Sequence, residues 1–410
     1  MGEAQRHQQR FDMVVIGGGL TGLTLAGAVA GAGFSVAVVE RQAPAGLVAV
    51  PYDGRVTAIA PGGRRLLEAT GVWRHLGEAA QPILDMVVRQ GFSPVAVRYD
   101  HEQAGGEALG YIVENRLLRQ ALLARAGELP SLRLFAPAEV SDVESGASHS
   151  RVHLADGAVL AAPLVAVCEG RGSRTRERLG VRARTWDYRQ TGIVCTLRHE
   201  RPHSGLAVER FFPDGPFARL PMAGGHRSSL VWALENDLAK EVRRLGDRNF
   251  LGEVAERFGD DLGPLALEGP RWHHPLALVL ADSYTARRAV LVGDAARGIH
   301  PIAGQGWNLA LRDVASVAEI AVDRLRLGLD PGDAAALQRY AAWRRFDGVA
   351  LVAVTDGLNR LFANDLLPLR ALREAGLALV DRAPPVKRFF MRHAMGLAGE
   401  LPRAMRGLPL

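Results

Sequence analysis

Cysteine is scarce in this sequence of 410 residues, since only Cys168 and Cys195 occur. Their spacing offers neither a disulfide framework nor a metal-ligand set, which is typical of a protein from a reducing compartment. No segment approaches the roughly 20 uninterrupted apolar residues of a transmembrane helix, and the polar start of the chain shows no secretory signal. We therefore expect a cytoplasmic globular protein, with a hydrophobic content of 48% that suffices for two lobes.

Lysine is almost missing: only Lys240 and Lys387 occur among 50 basic residues, so arginine supplies the other 48. Because this basic charge is spread along the chain, it indicates genome composition rather than nucleic-acid binding. The sequence also offers no series of serine, histidine and aspartate, no paired carboxylates and no metal-binding cluster. These gaps favour an enzyme whose cofactor performs the chemistry while the protein supplies positioning and electrostatics.

A glycine-rich turn at residues 17–22 predicts dinucleotide binding. It follows the apolar run Phe11–Ile16, and Glu40 follows a second apolar run at 35–39. Glycines at 17, 19 and 22 allow a tight turn, close approach to a pyrophosphate and close helix packing. A helix from about residue 20 to 32 would direct its N-terminal N–H groups at that pyrophosphate, and Glu40 is placed to accept ribose hydroxyls. The position of this unit near the start of the chain favours FAD over NAD.

A second glycine-rich segment, residues 290–309, lies between a predicted buried strand and a helix. Asp294 at the end of the strand can bind a ribityl hydroxyl. Gly304 and Gly306 at the start of the helix can stabilise negative charge on a reduced flavin. An ordinary strand–loop–helix crossover would explain the same residues, so both interpretations are open from this segment alone.

The order of apolar segments predicts an α/β protein with an interrupted nucleotide-binding domain. We expect that Rossmann-like domain at 1–77, 114–181 and 276–330, with a strand-like segment at Leu132–Phe135 and a buried strand at Leu164–Val167. Alternating runs predict an inserted antiparallel-sheet substrate domain at 78–113 and 182–275. The remaining residues, 331–410, form a helical region with a basic amphipathic tail.

Together these segments resemble the para-hydroxybenzoate hydroxylase-like class of FAD monooxygenases, and within it the ubiquinone-biosynthesis hydroxylases (2-polyprenylphenol hydroxylases). The resemblance covers nearly the whole chain. Besides the first glycine turn and Glu40, it is carried by Asp53-x-Arg55, Glu114-Asn115-Arg116, Glu169–Arg174 and Gly293–Val314. Of these, residues 300–314 are the most specific for the ubiquinone subgroup.

This resemblance implies a glutathione-reductase-like FAD-binding domain, with the substrate sheet lying over the isoalloxazine ring. It also implies that O2 is the co-substrate and that a flavin C4a-hydroperoxide transfers oxygen to a carbon of a polyprenylated phenol. The implied cofactor-binding residues are Gly17, Gly19, Leu20, Thr21, Gly22, Glu40, Arg41, Arg55, Arg116, Val140, Gly293, Asp294, Gly304, Gly306, Trp307 and Asn308. The reductant is left open among NADH, NADPH and a ferredoxin-type donor.

Two residues depart from the pattern of the class. Glu169 stands where the class has aspartate, which lengthens the side chain by one methylene. Arg297 stands where relatives have histidine, and we expect it to add a permanent charge and five donors near the flavin. Arg297 and His300 are the candidate catalytic residues, although a hydrogen bond that braces the loop explains His300 equally well.

Other candidate residues also have two interpretations. Trp186, Tyr188 and Trp232 could line an aromatic substrate pocket, or they could be core residues of the sheet. Arg55 could contact FAD, as the resemblance favours, or form a surface ion pair with Asp53.

The C-terminal tail predicts contact with an anionic membrane surface. Five basic residues at 387, 388, 392, 403 and 406 face only Glu400, and apolar residues at 386, 389, 390, 397 and 401 recur near helical spacing. Packing against the protein body would explain the apolar residues as well. Other quinone-biosynthesis proteins are further candidate partners, and a prenylphenol lipid is the expected substrate.

Two other functions fit the same residues. A monooxygenase for a small soluble aromatic would have no use for a lipid-binding tail. A flavin-binding scaffold of the quinone-biosynthesis assembly would perform no turnover, and Glu169 and Arg297 are the residues that keep this alternative open.

Overall fold

The computed structural model describes residues 8–48, 54–299, 304–345, 376 and 379–410. In chain order its strands are β1 (Gln8–Arg10), β2 (Met13–Ile16), β3 (Val36–Val39), β4 (Val56–Ile59), β5 (Gln81–Ile83), β6 (Asp85–Gln90), β7 (Ala96–Asp100), β8 (Gly110–Glu114), β9 (Leu132–Phe135), β10 (Val140–Ser145), β11 (Ser150–Leu154), β12 (Val159–Ala162), β13 (Leu164–Val167), β14 (Ala183–His199), β15 (Leu206–Phe212), β16 (Gly215–Met222), β17 (Arg227–Glu235), β18 (Leu265–Ala281), β19 (Thr285–Ala286), β20 (Ala289–Leu291) and β21 (Arg297–Gly298).

The α-helices bounded within the described residues are α1 (Leu20–Gly31), α2 (Pro44–Val48), α3 (Pro61–Ala69), α4 (Asn115–Gly127), α5 (Arg174–Arg178), α6 (Asn236–Arg244), α7 (Asp247–Phe258), α8 (Gln305–Arg326) and α9 (Pro384–Ala394). Residues 334–345 are helical too. Short 3-10 turns lie at Trp73–His75, Gly77–Ala79, Glu102–Ala104, Gly293–Ala295 and Arg403–Arg406.

The first lobe is built on a six-stranded sheet in the order β19-β20-β13-β2-β3-β9. All its pairings are parallel except that of the short edge strand β19 with β20. Strands β2, β3, β13 and β20 are fully buried, as their uninterrupted Val, Ile, Leu and Ala runs require for a sheet covered on both faces. The chain passes from β2 to β3 on one side of β2, whereas β13 and then β20 are added on the other side. The crevice at the carboxyl end of β2 is therefore a topological switch point.

The second lobe is built on an eight-stranded sheet in the order β21-β18-β14-β17-β16-β15-β6-β7. Its pairings are antiparallel apart from that of β15 with β6. Helices α6 and α7 cover one face and enclose a core around Ile193, Leu230 and Phe250. The opposite face packs in part against the three-stranded sheet β4-β8-β5, through Ile83, Ile112 and neighbouring apolar residues.

The predicted division of the chain into domains stays a proposal. Strand β18 (265–281) runs across the proposed boundary at 275/276, and β8 (110–114) runs across the one at 113/114. A further four-stranded sheet, β1-β12-β11-β10, lies beside the first lobe. In the described part of the chain, no helix is both long and apolar enough to cross a bilayer.

Candidate FAD site

The predicted glycine turn connects β2 to α1 and leaves no space for a side chain at Gly17 or Gly22. Gly17 has a φ of +104°, and a Cβ added there would lie 2.7 Å from the carbonyl oxygen of Cys168. A Cβ at Gly22 would lie 1.8 Å from the carbonyl oxygen of Gly17. The turn therefore folds back on the first turn of α1, and Gly19 at the helix N-cap carries no contact within 4 Å of its Cβ position.

Glu40 lies directly after β3 and contacts this turn. Its Oε2 accepts the N–H of Gly18 at 2.8 Å, and its Oε1 accepts the N–H of Gln42 at 2.9 Å. A carboxylate offers about four acceptor positions, so these two bonds fix the side chain and leave capacity for ribose hydroxyls. Ribose binding by Glu40 stays a prediction.

The two glycine motifs meet in space. Gly293, in the 3-10 turn after β20, has a φ of +64°, and its Cβ position lies 3.2 Å from Thr21 Cγ2 and 3.1 Å from Ala310 Cβ. Thr21 belongs to the first turn of α1 and Ala310 to α8. The carboxyl end of β20, the N-terminus of α1 and the start of α8 thus form one cradle with almost no tolerance for added side chains.

Asp294 presents its carboxyl at this cradle. Its Oδ2 lies 3.4 Å from Nε of Arg171, and burial raises the pKa of the Asp294 carboxyl in spite of that cation. Arg171 also donates from Nη2 to the carbonyl of Ile299 at 3.1 Å. The Glu169–Arg174 segment therefore holds the loop that carries Asp294.

The Glu169 side chain forms its hydrogen bonds within its own loop. Its Oε2 accepts the Ser173 hydroxyl at 2.6 Å and the Thr175 N–H at 3.0 Å, next to the N-cap of the short helix α5. Ser173 in turn accepts the N–H of Arg176 at 3.1 Å. This side chain is thus engaged in ordering the loop that contains Arg171.

The sequence matches the FAD binding domain family over residues 10–352. It is also 49% identical over 402 residues to the ubiquinone hydroxylase UbiL of Rhodospirillum rubrum, covering 97% of this chain and 93% of that protein. The chain belongs to this FAD-binding family. A relative in Escherichia coli, 3-demethoxyubiquinol 3-hydroxylase, is 31% identical, with 95% of this chain and 99% of that protein covered.

The fold is also that of solved flavin enzymes. The crystal structure of p-nitrophenol 4-monooxygenase PnpA from Pseudomonas putida superposes with a TM-score of 0.80 at 18% identity, covering 96% of this chain and all of that one. The α/β class predicted from the sequence is confirmed, as are FAD as the cofactor and monooxygenase as the enzyme class.

The cradle fits FAD on its own geometry. A helix N-terminus with free N–H groups, reached through glycines without space for side chains, is what a pyrophosphate requires. Asp294, with a side chain that is 42% exposed, retains oxygen atoms for a hydroxyl. Among the predicted binding residues, Gly17 to Gly22, Glu40, Gly293 and Asp294 are those that the structure brings together.

Asn308 attaches the start of α8 to β4. Gly304 caps the helix with a φ of +61°. The amide of Asn308 donates to the Ala58 carbonyl at 2.8 Å and accepts the Ala60 N–H at 2.8 Å, so it acts from a buried position. Gly306 and Trp307 remain partly exposed at the start of the helix.

Arg55 and Arg116 lie where the two lobes meet. The Arg55 carbonyl accepts the N–H of Asn115 at 3.0 Å, and its side chain is exposed. Arg116 donates from Nε to Glu114 at 2.7 Å, and the same carboxyl group binds Arg227 of β17 at 3.2 Å. Contact of these arginines with FAD stays a prediction, and Asp53 lies outside the described residues.

Two further predicted binding residues lie apart from this interface. Arg41 is exposed just after β3, and Val140 is 5% exposed at the start of β10. The Val140 carbonyl accepts Nη1 of Arg178 at 2.8 Å. Because its side chain is buried, Val140 could meet a cofactor only through its backbone.

The structure places Arg297 in the core, and its predicted role at the flavin site stays a prediction. The Arg297 side chain has no exposed surface, forms an ion pair with Asp313 and lies 4.9 Å from the centre of the Tyr284 ring. Arg297 is therefore a core residue, and its pKa is raised chiefly by Asp313 against the opposing effect of burial. His300 lies outside the described residues.

The three aromatic candidates for a substrate pocket differ in burial. Trp232 is 1% exposed and packs against Phe217, with the guanidinium of Arg257 over its ring at 4.7 Å. It belongs to the core under α6 and α7, which agrees with the interpretation of this residue as a core residue of the sheet. Trp186 is 44% exposed and Tyr188 is half-buried, and their role as pocket residues stays a prediction.

Sequence reasoning missed Trp272. A Cβ at Gly54 would lie 2.1 Å from its indole ring, so the Arg55 segment rests directly on β18 of the second lobe. The only available signal was an aromatic residue in an alternating segment, which does not tell which face of the sheet it occupies.

Proposed function

We propose that this protein hydroxylates a ring carbon of a polyprenylated phenol in ubiquinone biosynthesis. It is an FAD-dependent hydroxylase of the ubiquinone-biosynthesis group, since it matches such enzymes along nearly its full length. The observation that carries the proposal is the cradle of Gly293, Thr21 and Asp294 opposite a sheet that touches the Arg55 segment through Trp272. That arrangement supports a substrate held between the two lobes.

Each lobe has a defined task in this proposal. Bound FAD, once reduced, supplies the activation of O2. The glycine turn and Asp294 hold the cofactor in place, and the remaining predicted cofactor-binding residues stay in the proposed set. The eight-stranded sheet positions the phenol and excludes water, which protects the oxygen-transfer step from a wasteful release of hydrogen peroxide.

Replacing Asp294 with alanine should abolish function by removing a polar contact to the cofactor. We expect the purified variant to retain little FAD while keeping its fold by circular dichroism. In the source cell, deletion of the gene should cause one prenylphenol lacking a single ring oxygen to accumulate. A wild-type copy should restore the quinone, and a copy carrying Asp294→Ala should not, as read by mass spectrometry of the lipids.

The outcomes separate the competing functions. Normal quinone in the deletion strain would contradict the proposal and favour a monooxygenase for a soluble aromatic. Restoration of quinone by the Asp294→Ala copy would favour a scaffold without turnover, provided that the variant is shown to lack FAD.

We further propose that the protein acts in the cytoplasm at the membrane surface, through α9. Phe389 and Phe390 are 57% and 43% exposed and Val386 is 40% exposed, next to the exposed Arg388 and Arg392. An apolar patch beside exposed cations suits an anionic lipid surface, where the isoprenoid chain of the substrate resides.

Part of the tail belongs to the protein body instead. Met391 and Met395 are buried, and Leu401 packs against the main core. Arg403 donates its N–H to Glu319 at 2.6 Å, and Lys387 pairs with Asp381 at 3.0 Å. These contacts hold α9 in place with its aromatic residues outward.

The double variant Phe389→Glu, Phe390→Glu should lose binding to vesicles of phosphatidylcholine and phosphatidylglycerol. Burying a phenylalanine side chain contributes about 1.5–3 kcal/mol, so we expect the partition coefficient to fall at least about tenfold. Leu327→Glu is the matched control, because Leu327 is 73% exposed outside the tail. Equal binding of all three proteins in a vesicle sedimentation assay would contradict the role of α9.

A further inference from the structure

A row of residues crosses the second-lobe sheet on the face opposite α6 and α7. The residues that pair in register along it are Val88, Glu209, Ala218, Val231, Val194 and Trp272. Neighbouring strand positions such as Ile193, Leu230 and Trp232 point the other way into the helix-covered core. We call this set of six residues the Glu209 row, since Glu209 is its only ionisable member.

The Glu209 row faces the first lobe. Its last member, Trp272, packs on Gly54, which immediately precedes Arg55. One register step along the same face, Ala207 and Met222 pack with Ile83 and Ile112 of the three-stranded sheet. The row therefore lies on the sheet face that is turned toward Gly54 and the three-stranded sheet. This is the face on which the proposed function requires the phenol to bind.

Glu209 is unlike the other carboxyl groups at this interface. It is half-buried, and it makes no hydrogen bond or ion pair with any residue that the structure describes. Burial alone raises the pKa of this carboxyl to about 8. A carboxyl group that lies deep among apolar neighbours yet keeps accessible surface is placed to meet a ligand.

The charged groups around this face are otherwise engaged. Arg227 of β17 binds Glu268 at 2.6 Å and Glu114 at 3.2 Å. The pKa of Tyr99, on β7, is raised by burial and by Asp381. The neighbouring Arg210 extends to the opposite face, where its guanidinium donates to the Arg257 carbonyl at 3.0 Å. Among the described residues, none of these groups forms a hydrogen bond or ion pair with Glu209.

We propose that Glu209 is a catalytic residue that binds the phenol hydroxyl of the substrate and accepts its proton. The inference rests on the proposed function, because it needs a phenol between the lobes. The O–H bond breaks, the proton moves to Oε of Glu209, and the electron pair stays on the phenol oxygen. This raises electron density at the ortho and para carbons, one of which forms the new C–O bond with one oxygen atom of O2 while the O–O bond breaks. Bound FAD in its reduced form would supply the two electrons, and the second oxygen atom would leave as water. The carbon loses its hydrogen as a proton, and this proton together with two from reduced FAD and solvent completes the new hydroxyl group and the water. The phenol oxygen recovers its own proton from Glu209.

The acidity of the two groups suits this transfer. A phenol has a pKa of about 10, and a general base works best when its pKa lies near the working pH. Below pH 8 the Glu209 carboxyl is protonated and cannot accept a proton. The rate of hydroxylation should therefore rise with pH and level off above about pH 8.

The test compares the holoenzyme with Glu209→Gln and with Glu256→Gln, a control at an exposed position of α7. In single turnovers with 2-geranylphenol in detergent, we expect Glu209→Gln to hydroxylate about 100-fold more slowly and without the rise toward pH 8. The variant should also lose about tenfold in its preference for 2-geranylphenol over the methyl ether of that phenol, measured as a ratio of Kd values. Glu256→Gln should match the wild type in all three.

A measurement without substrate checks that the carboxyl has the required environment. A raised pKa means that ionisation disfavours the folded state, so stability from this group is lost as pH rises from the unfolded value toward 8. The Tm of Glu209→Gln should therefore increase relative to the wild type between pH 5 and pH 9. The same difference should be absent for Glu256→Gln.

The failures are distinguishable. Absence of hydroxylated product from the wild-type enzyme would overturn the proposed function itself. Hydroxylation by Glu209→Gln at the wild-type rate and with the wild-type pH profile would overturn only the role of Glu209. A folded, FAD-loaded Glu209→Gln protein that loses activity but keeps the pH profile and the ether discrimination would also overturn it.

Discussion

Asp313→Asn is expected to lower the free energy of unfolding by about 3–5 kcal/mol, the usual cost of breaking a buried ion pair. Asp313 is fully buried on α8, where it forms ion pairs with Arg297 and, at 2.8 Å, with Arg344. Its Oδ2 also accepts the N–H of Gly293 at 3.1 Å. An asparagine would leave two buried guanidinium groups facing a neutral amide.

The same substitution should weaken FAD binding. Asp313 accepts the N–H of Gly293, the residue before Asp294. Its replacement weakens the contact that holds this part of the cradle in place. Urea unfolding and the FAD content of the purified protein measure the two effects. Asp323→Asn is the control on the same helix, because Asp323 forms a partly exposed pair with Arg403 whose loss costs only about 0–1 kcal/mol. Equal stability of the two variants would contradict the importance of the buried cluster.

Gly22→Ala is expected to reduce FAD affinity by at least about 100-fold, because the glycine turn needs close backbone contact to present the helix N-terminus. The added Cβ would lie 1.8 Å from the carbonyl oxygen of Gly17, and backbone atoms cannot relieve such a clash by a side-chain rotation. The first turn of α1 must therefore shift away from β2. Titration of the apoprotein with FAD, followed by flavin fluorescence, measures the loss.

The control for this prediction is Gly27→Ala. Gly27 lies on the same helix α1, and a Cβ there meets nothing within 4 Å. Replacing a helical glycine with alanine stabilises a helix by about 0.5–1 kcal/mol, so this variant should bind FAD like the wild type and unfold at a slightly higher temperature. Equal FAD affinity in Gly22→Ala and Gly27→Ala would contradict the steric argument.

The central strands of the parallel sheet could be predicted from sequence because both of their faces are buried. Strands β9 and β13 coincide with the predicted segments Leu132–Phe135 and Leu164–Val167, and α1 ends within one residue of its prediction. Uninterrupted apolar runs between turn residues identify such strands without knowledge of their neighbours. The glycine motifs could also be recognised from sequence. The close contacts at Gly22 and Gly293 require glycine, and this requirement leaves a pattern in the sequence.

Side-chain direction could not be predicted. Arg297 lies beside the flavin motif in sequence, yet its guanidinium points into the core toward Asp313. Alternation assigned Trp232 to a sheet but could not tell whether its face meets α7 or the first lobe. The long strand β18 was missed in part because Gly269 and Pro270 interrupt its pattern, while its pairing with β14 depends on tertiary contacts.

The central claim is that the FAD-loaded protein transfers oxygen from O2 to a prenylated phenol held between its two lobes. The most direct measurement incubates the FAD-loaded enzyme, chemically reduced under anaerobic conditions, with 2-geranylphenol and then admits oxygen labelled with the heavy isotope. We predict a product that carries one labelled oxygen atom on the ring. Recovery of unchanged phenol together with hydrogen peroxide, or of a product whose new oxygen comes from water, would contradict the account.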